Sequence, residues 1–365
     1  MTRVLVFNFF GGVVDRGIPL YAQDIGEGMR RVGVEVIELR CPRLCRHLPR
    51  VIRNLLFVLF EQLVAPVLRV VMGCSFVVYP YNSAGVVDAA LGTSVLVIHD
   101  LLAHHRQHRN LAALYIRLTQ TVHRYFRRPV RAASAHTLRQ LYRLAAFKQC
   151  SPQLWSNPFF SFEVALATHA GVPSPPRQRS LRVLLCSGLG RNKDYGGALR
   201  LFARSRALDG AELRVLGFGR DADLARRRLE RLGDAVAGRA VVLPRLGLDD
   251  VVTEYLAADI VWVHSRREGF GRSVLEARLA GRRVVASNIG AFRQLAAPGV
   301  TLYRNGSFDA AVRKALGADP PPPLNAATYH APLEVAVAAT VALYANTAQL
   351  EPHVESSTQP ITHTD

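Results

Sequence analysis

The sequence predicts an α/β protein in which two parallel sheets face a central cleft. Apolar runs of strand length alternate with longer helical patterns along most of the chain, and parallel sheets covered on both faces produce this alternation. A chain of 365 residues with 49% hydrophobic content is large enough for two domains. The proline-rich stretch "THAGVPSPPRQRS" (168–180) is typical of a linker between them.

The first domain is predicted over residues 1–170. A helical pattern near 18–33 separates its first two strand runs, so the connections are long enough for parallel pairing. The strand runs in this half are "RVLVFNF" (3–9), "VEVIEL" (34–39), "SFVVYP" (75–80) and "SVLVIH" (94–99).

The second domain is predicted over residues 181–320. A last helical pattern follows the proline run at 319–325 and spans 331–349. The tail, 351–365, has few large apolar residues and is expected to be disordered. The strand runs in this half are "LRVLLCSG", "AELRVLG", "AVVLPRLG", "DIVWVH" and "RRVVAS".

The formal net charge of +18 is unevenly distributed. Residues 1–180 carry 22 basic and 9 acidic side chains, whereas 181–365 carry 24 and 19. Such a field favours a polyanion or an anionic membrane surface, although the arginine bias of a GC-rich coding sequence would produce the same excess. The stretch 41–74 is rich in leucine, valine and arginine. It is interpreted either as an ordinary amphipathic helix packed on a sheet or as an interfacial helix attracted to anionic lipid.

The cellular location is predicted from the cysteines and the N-terminus. Five cysteines are present, and their spacing completes no zinc site, so we expect reduced thiols and no metal. The N-terminus lacks the pattern of a signal peptide, and no uncharged apolar stretch of about 18 residues occurs. We therefore expect a cytoplasmic protein, peripheral on the inner face of the membrane.

Polar groups and glycines follow the strands of the second half. Glycine lets a backbone approach a ligand closely, and the N–H groups at a helix start favour phosphate. Two cations would hold a diphosphate, while two carboxylates would accept hydrogen bonds from sugar hydroxyls. Together these groups describe a site for a nucleotide-diphosphate sugar. The residues are Gly188, Arg191, Lys193, Gly217, Glu268 and Glu276.

The motif "EGFGRSVLEARLAGRRVVASNIGAFRQL" carries a resemblance to a known family. Residues 181–302 resemble the nucleotide-sugar-binding half of the retaining GT-B glycosyltransferases, in particular family 4 (group 1). That family shows the pattern E-x7-E, which this motif contains. The resemblance extends upstream through "GLGRNK", "LRVLGFG" and "AADIVWVHS". The first half resembles the family more loosely, through "RGIPLYAQDIGEGMRRVGVEVIEL" and "VLVIHDL". The last helix resembles the segment that crosses back to the first domain.

The resemblance implies two Rossmann-like domains and a set of donor contacts. Glu268 would contact the donor sugar beside the N–H groups of Gly269, Phe270 and Gly271. Glu276 would bind the ribose hydroxyls. The resemblance also implies retention of anomeric configuration and no metal. Three further residues would take part in catalysis, namely Arg191 and Lys193 on the diphosphate and His99 from the acceptor domain.

One departure from the family pattern stands beside the motif. Leucine and proline often follow "EGFG" in the family, whereas Arg272 and Ser273 do so here. Arg272 would add charge near the phosphates or point to solvent.

The predicted function is hexosyl transfer from a nucleotide-diphosphate sugar to a lipid-linked or polysaccharide acceptor, in bacterial surface polysaccharide synthesis. A GT-B epimerase or phosphorylase is the enzymatic alternative. A basic nucleic-acid-binding protein with a nucleotide-type fold is the non-enzymatic one, but the sequence lacks the aromatic-interleaved basic motifs of common RNA binders, so no nucleic acid is expected. The motif "DAD" (221–223) is interpreted as a helix start and not as a metal site.

Overall fold

Two six-stranded sheets, each entirely parallel, organise the chain. The computed structural model describes residues 2–11, 17–104, 110–169, 180–218 and 221–348. Most of the predicted linker, residues 170–179, and the predicted disordered tail lie outside these ranges. The α/β fold class with two parallel sheets is confirmed.

The first sheet has the strand order β2-β1-β3-β4-β5-β6. Its four inner strands are short and almost wholly buried, which is why they appear in the sequence as continuous apolar runs, whereas the edge strands β2 and β6 are partly exposed. The strands are β1 (Arg3–Phe7), β2 (Glu35–Leu39), β3 (Phe76–Tyr79), β4 (Ser94–Ile98), β5 (Val130–Ala132) and β6 (Gln153–Leu154). The helices of this half are α1 (Ile18–Arg31), α2 (Arg50–Leu59), α3 (Ala65–Val71), α4 (Val86–Leu91), α5 (Leu111–Tyr125), α6 (Ala135–Arg143), α7 (Ala145–Lys148) and α8 (Phe160–Thr168).

The second sheet has the order β12-β11-β10-β7-β8-β9. Its central strands β7 and β10 pair with each other, so the loops after both of them open at one edge. The strands are β7 (Arg182–Cys186), β8 (Glu212–Leu216), β9 (Ala240–Val242), β10 (Ile260–Val263), β11 (Arg283–Ser287) and β12 (Val300–Tyr303). The helices are α9 (Tyr195–Arg204), α10 (Ala222–Glu230), α11 (Asp234–Ala237), α12 (Leu248–Ala257), α13 (Arg272–Leu279), α14 (Gly290–Arg293), α15 (Phe308–Gly317) and α16 (Ala327–Ala348).

The last helix, α16, packs on the first sheet. Leu333 and Val337 are buried in the same apolar cluster as the β1 side chains. The Tyr344 hydroxyl donates to the carbonyl of Ser94 at 2.8 Å, and the buried Arg131 donates to Thr340 Oγ1 at 3.0 Å. Helix α8 shares its burial between the two halves, because Phe160 packs with the first sheet and Phe162 with the second. Both segments therefore tie the halves together.

Most of the stretch 41–74 forms α2, one π-helical turn (Phe60–Val64) and α3. One face packs on the core of the first sheet through partly buried Leu56, Phe60 and Leu68. Within the described residues, Val51–Val71 is the one helix long and apolar enough to cross a membrane by length and composition, and little of it is buried. The helix thus has a second apolar face that the protein does not cover.

Candidate functional site

A cleft of about 370 Å³ lies where the loops after the strands of the two sheets meet. The first half contributes Tyr21 from α1 and the β4 strand end, His99 and Asp100. The second half contributes the loops after β7, β8 and β10 and the start of α13. Ligands in open α/β sheets bind outside the carboxyl ends of strands, so the topology itself places a ligand here. The sequence-predicted residues that line the cleft are His99, Lys193, Gly217, Glu268, Gly269, Phe270, Gly271 and Glu276.

Lys193 and Glu268 form an ion pair inside the cleft. The Lys193 Nζ lies 2.5 Å from Glu268 Oε1, and the Ser265 hydroxyl donates to the same oxygen at 2.8 Å. The Glu268 side chain is 14% exposed and that of Lys193 is 33% exposed. The pair brings a cation from the loop after β7 to a carboxylate from the loop after β10, so a phosphate and a sugar hydroxyl would find partners side by side.

Glu276 lies further along the chain, within helix α13. The Tyr255 hydroxyl of α12 donates to Glu276 Oε2 at 2.9 Å. The cleft wall beside it is apolar and includes Leu248 and Val251 of α12 and Phe162 of α8. A carboxylate next to an apolar wall can accept from hydroxyls while a planar ring packs beside it, and a nucleoside requires both.

The glycine turn between the two glutamates touches the first half of the protein. A Cβ at Gly269 would overlap the carbonyl oxygen of His99, so only glycine fits this approach. The Ser134 hydroxyl donates to the carbonyl of Gly269 at 2.7 Å. At Gly271 the φ angle is 108°, and a Cβ would collide with the Phe292 ring. The turn can therefore be this tight only with glycines, and the two halves meet on it.

The other two glycines predicted for the site, Gly217 and Gly188, differ in whether they line the cleft. Gly217 has a φ of 121° and passes so close to the Ser187 carbonyl that a Cβ would overlap it. This approach lets the β8 loop line the cleft. Gly188 is not among the residues lining the cleft, and a Cβ there would meet only the Lys193 side chain, at 3.7 Å.

His99 presents a neutral imidazole to the cleft. Its buried Nε2 has no hydrogen-bond partner within the described part of the chain. Burial lowers the pKa of His99 to about 3; the charge of Arg272 also lowers it, and a hydrogen bond to the Pro80 carbonyl opposes the shift. Since that bond must use Nδ1–H, Nε2 carries a lone pair. Because the atom is enclosed, a hydroxyl of a bound molecule would reach this lone pair only after a local movement.

Arg191 does not join Lys193 in the central cleft. It lines a neighbouring cleft of about 730 Å³ together with Arg228, Arg266 and Arg267. The chain makes a turn at 190–193, where the Lys193 N–H donates to the Gly190 carbonyl at 2.9 Å. Because of this turn, the side chains of Arg191 and Lys193 point in different directions.

Arg272 does not point to solvent, since its side chain is 11% exposed. Its guanidinium is bonded to Asp24 of α1 and to the segment before α8, so it faces the first half of the protein. It also lines the central cleft, and a contribution of its charge to phosphate binding stays a prediction. An arginine is long enough to cross from α13 to α1, and its position in the sequence gave no indication of this.

Two further side chains support the carboxylates and were absent from the predicted site. Ser265 follows strand β10 directly and donates to Glu268, while Tyr255 lies on a helix whose burial could not be foreseen. The position of Ser265 between a strand and the glycine turn is a signal that could have identified it. Tyr255 had no local signal, because its contact depends on how α12 packs against α13.

A second cleft, of about 490 Å³, opens from the same reaction region. It shares Asp100 and Glu268 with the central cleft. Three arginines and two histidines are among its lining residues, namely Arg143, Arg266, Arg267, His104 and His136. A second molecule could thus reach Glu268 through this cleft. None of the described residues form a group of three or more His, Cys, Asp or Glu side chains that could hold a metal ion.

The second half of the chain has a recognisable relative. Residues 181–317 match the family described as glycosyl transferases group 1. This range is therefore similar to group 1 glycosyl transferases. The matched range contains the Lys193–Glu268 pair, the glycine turn and Glu276, so the part of the cleft assigned to a nucleotide sugar lies within it. No curated protein sequence matches the chain.

The fold of the whole chain is that of the GT-B glycosyltransferases. Sucrose-phosphate synthase (tll1590) from Thermosynechococcus elongatus is similar with a TM-score of 0.64 and 17% identity, over 96% of this chain and 98% of that one. Anabaena Alr3699/HepE in complex with UDP-glucose gives 0.59 and 18%, over 96% and 100%. WaaG, a glycosyltransferase involved in lipopolysaccharide biosynthesis, gives 0.58 and 16%, over 95% of each chain.

Proposed function

We propose that the protein transfers a hexosyl group from a nucleotide-diphosphate sugar to an acceptor, with retention of anomeric configuration and without a metal cofactor. The observation that carries the proposal is the arrangement of Lys193, Glu268, Glu276 and the unpartnered His99 Nε2 around one cleft between the two sheets. The match to the group 1 family and the UDP-glucose held by a protein of similar fold support a nucleotide-sugar donor.

The chemistry assigned to these residues is mainly electrostatic. A departing nucleotide diphosphate gains negative charge as the glycosidic bond breaks, and Lys193 can stabilise that charge from its fixed position. Helix α13 begins at Arg272, and its N-cap residue Gly271 provides no side-chain cap, so its first N–H groups are available to the same phosphates. Glu268 and His99 would accept hydrogen bonds from the donor sugar and hold its anomeric carbon toward the second cleft.

A panel of nucleotide sugars tests the donor site by thermal unfolding. We expect one nucleotide class to raise the unfolding temperature of the wild type, because a ligand that binds only the folded state stabilises it. Glu276→Ala should abolish the rise, since it removes the proposed ribose acceptor. Glu230→Ala, a glutamate at the exposed end of α10, is the control and should keep the rise.

Three outcomes, from the unfolding panel, from product analysis without acceptor and from a nucleic-acid titration, would contradict the proposal. A flat panel for the wild type would remove the donor site. A donor that is converted to its epimer without acceptor would make the protein an epimerase. Salt-steep binding of DNA or RNA with no response to sugars would favour the nucleic-acid alternative. Where transfer is observed, the NMR coupling of the product's anomeric proton tests retention.

We propose that the acceptor is lipid-linked or a polysaccharide and reaches Glu268 through the second cleft. Its lining is rich in arginine and includes Arg143 and Arg267, which would suit the phosphate of a lipid-linked acceptor. Bacterial surface polysaccharide synthesis is the setting that we infer. Similarity in fold to WaaG, described as involved in lipopolysaccharide biosynthesis, is consistent with this setting.

We also propose that the protein is cytoplasmic and docks on the inner face of the membrane through an apolar helix surface. This surface consists of exposed side chains on α2, the π-helical turn that follows it, α3, α4 and α5. Its helices are connected, because Arg69 of α3 pairs with Asp88 of α4 at 2.8 Å and Tyr115 of α5 bonds to Glu61. The exposed residues are Leu55, Leu59, Leu63, Val67, Val70, Val86, Val87, Leu91, Leu111, Leu114 and Leu118.

Charge supports an anionic lipid as the partner of this surface. The acidic side chains on these helices, Glu61 and Asp88, are both fully buried. The stretch 41–128 contains eleven arginines and only three acidic residues, the third being Asp100. A helix that is apolar on two faces is stable when both are covered, and an arginine-flanked apolar face suits an anionic bilayer.

Co-sedimentation with lipid vesicles tests the docking surface. The wild type should sediment with vesicles containing phosphatidylglycerol and much less with pure phosphatidylcholine. Replacing Leu55, Leu59, Leu63 and Val67 together by serine should weaken sedimentation at least about tenfold, because each buried CH₂ contributes about 0.8 kcal/mol. Serine at the exposed Val164, Val241 and Val335 is the control. Unchanged sedimentation of the first variant, or equal binding to both lipids, would contradict the proposal.

A further inference from the structure

Arg272 connects the two halves of the protein through several hydrogen bonds. Its Nη2 donates to Asp24 Oδ2 of α1 at 3.1 Å. Its Nη1 lies 3.0 Å from the Pro158 carbonyl and 3.3 Å from Asn157 Oδ1, both in the segment before α8. The guanidinium carbon also lies 4.5 Å from the centre of the Phe159 ring. A single side chain of α13 thus holds both α1 and the segment that leads out of the first sheet.

The same guanidinium contacts a residue of the proposed donor site. Its Nε lies 3.4 Å from Glu276 Oε1, while the other oxygen of Glu276 accepts from Tyr255. Arginine has a rigid planar fork of donors, so moving one end of the guanidinium moves the others. The position of the Glu276 carboxylate is therefore linked to the position of α1.

The partner of Arg272 on α1 is a costly residue to bury. The Asp24 side chain is fully buried, and its second oxygen accepts from the Ser161 N–H at 2.9 Å and the Ser161 hydroxyl at 2.6 Å. Burial raises the pKa of Asp24, and the charge of Arg272 partly opposes that shift. Buried ion pairs contribute little net stability, and removal of one partner leaves an uncompensated charge. Stability alone is thus a weak reason for this pair.

We propose that Arg272 is a positioning residue that couples nucleotide-sugar binding at Glu276 to the approach of the two halves. With α1 in place, three donors of the guanidinium are engaged on the first half, and Glu276 is held at one edge with its lone pairs facing the cleft. Without α1, the guanidinium would have only Glu276 as a charged partner and would compete with the ribose hydroxyls for it. The inference rests on the proposed function and adds a requirement to it.

Donor kinetics of single and double variants test the coupling. Arg272→Leu and Asp24→Asn should each raise the KM for the donor about tenfold, within the usual range of coupling between sites. The double variant should not exceed the larger single effect, because both changes remove the same contact. Arg272→Lys keeps the charge but not the fork and should be intermediate.

A second buried pair supplies the control. Arg69 and Asp88 also join an arginine, 13% exposed, to a fully buried aspartate, and both lie outside the central cleft. Arg69→Leu should lower the unfolding temperature and leave the donor KM unchanged. If Arg272→Leu did only the same, the residue would be structural and the proposal would be wrong.

Solution scattering keeps this test separate from the proposed function. Arg272→Leu should increase the radius of gyration relative to the wild type and to Arg69→Leu, because the halves lose one of the contacts that join them. If the wild type bound no nucleotide sugar, the proposed function would be wrong. The scattering comparison would still show whether Arg272 joins the two halves. An unchanged radius of gyration would overturn the link between the halves.

Discussion

Replacement of Lys193 by alanine is expected to lower kcat by about 10²–10³-fold, the usual cost of removing one preorganised electrostatic contact. The Nζ of Lys193 is fixed 2.5 Å from Glu268, at the point where the diphosphate would leave. The loss should affect kcat more than donor KM, because charge on the diphosphate grows as the bond breaks. Initial rates of nucleotide release in the presence of acceptor measure it.

Lys314→Ala is the matched control for this change. The chain contains only three lysines, and Lys314 is exposed near the end of α15, away from the cleft. Its replacement should leave the rate unchanged. A Lys193→Ala variant that kept more than a third of wild-type kcat would exclude Lys193 from stabilisation of the leaving group.

Gly269→Ala is expected to lower the transfer rate by more than about 10²-fold, because an ångström of misplacement can cost that much. The added Cβ would overlap the His99 carbonyl, so the glycine turn must move away from the first half. The displacement would break the hydrogen bond from Ser134 and move Glu268 away from His99. Rates with saturating donor and acceptor measure the effect.

Nucleotide binding distinguishes this effect from simple misfolding. Most of the proposed nucleoside contacts, including Tyr255 and Glu276, lie within the second half, so a nucleoside diphosphate should still raise the unfolding temperature of Gly269→Ala. Gly306→Ala is the control, since a Cβ there meets no atom within 4 Å. Near-normal transfer by Gly269→Ala would show that the two halves need not meet at this turn.

The sequence was informative where the chemistry is local. Buried parallel strands appear as apolar runs, so the alternation of strands and helices in both sheets was predicted. The loop after β10 also contains its own signals, because two glycines, a glutamate and a helix start follow one another there. The cleft position of Glu268 and Glu276 follows from that local order.

Contacts between residues far apart in the sequence could not be predicted from local patterns. The directions of Arg191 and Lys193 depend on one turn, and the sequence treats both as cations of a single loop. The path of Arg272 depends on Asp24, 248 positions away, and on a segment that packs with both halves. For 41–74, periodicity alone could not show that one apolar face packs on the sheet while another is exposed.

A crystal structure of the protein with the nucleoside diphosphate of its donor tests the central claim most directly. The account predicts the diphosphate within hydrogen-bond distance of Lys193 Nζ, about 3 Å, with the ribose hydroxyls on Glu276 and the base against α12. A nucleotide seated instead among Arg191, Arg228 and Arg267, or one that leaves Glu276 bonded only to Tyr255 and Arg272, would contradict the account.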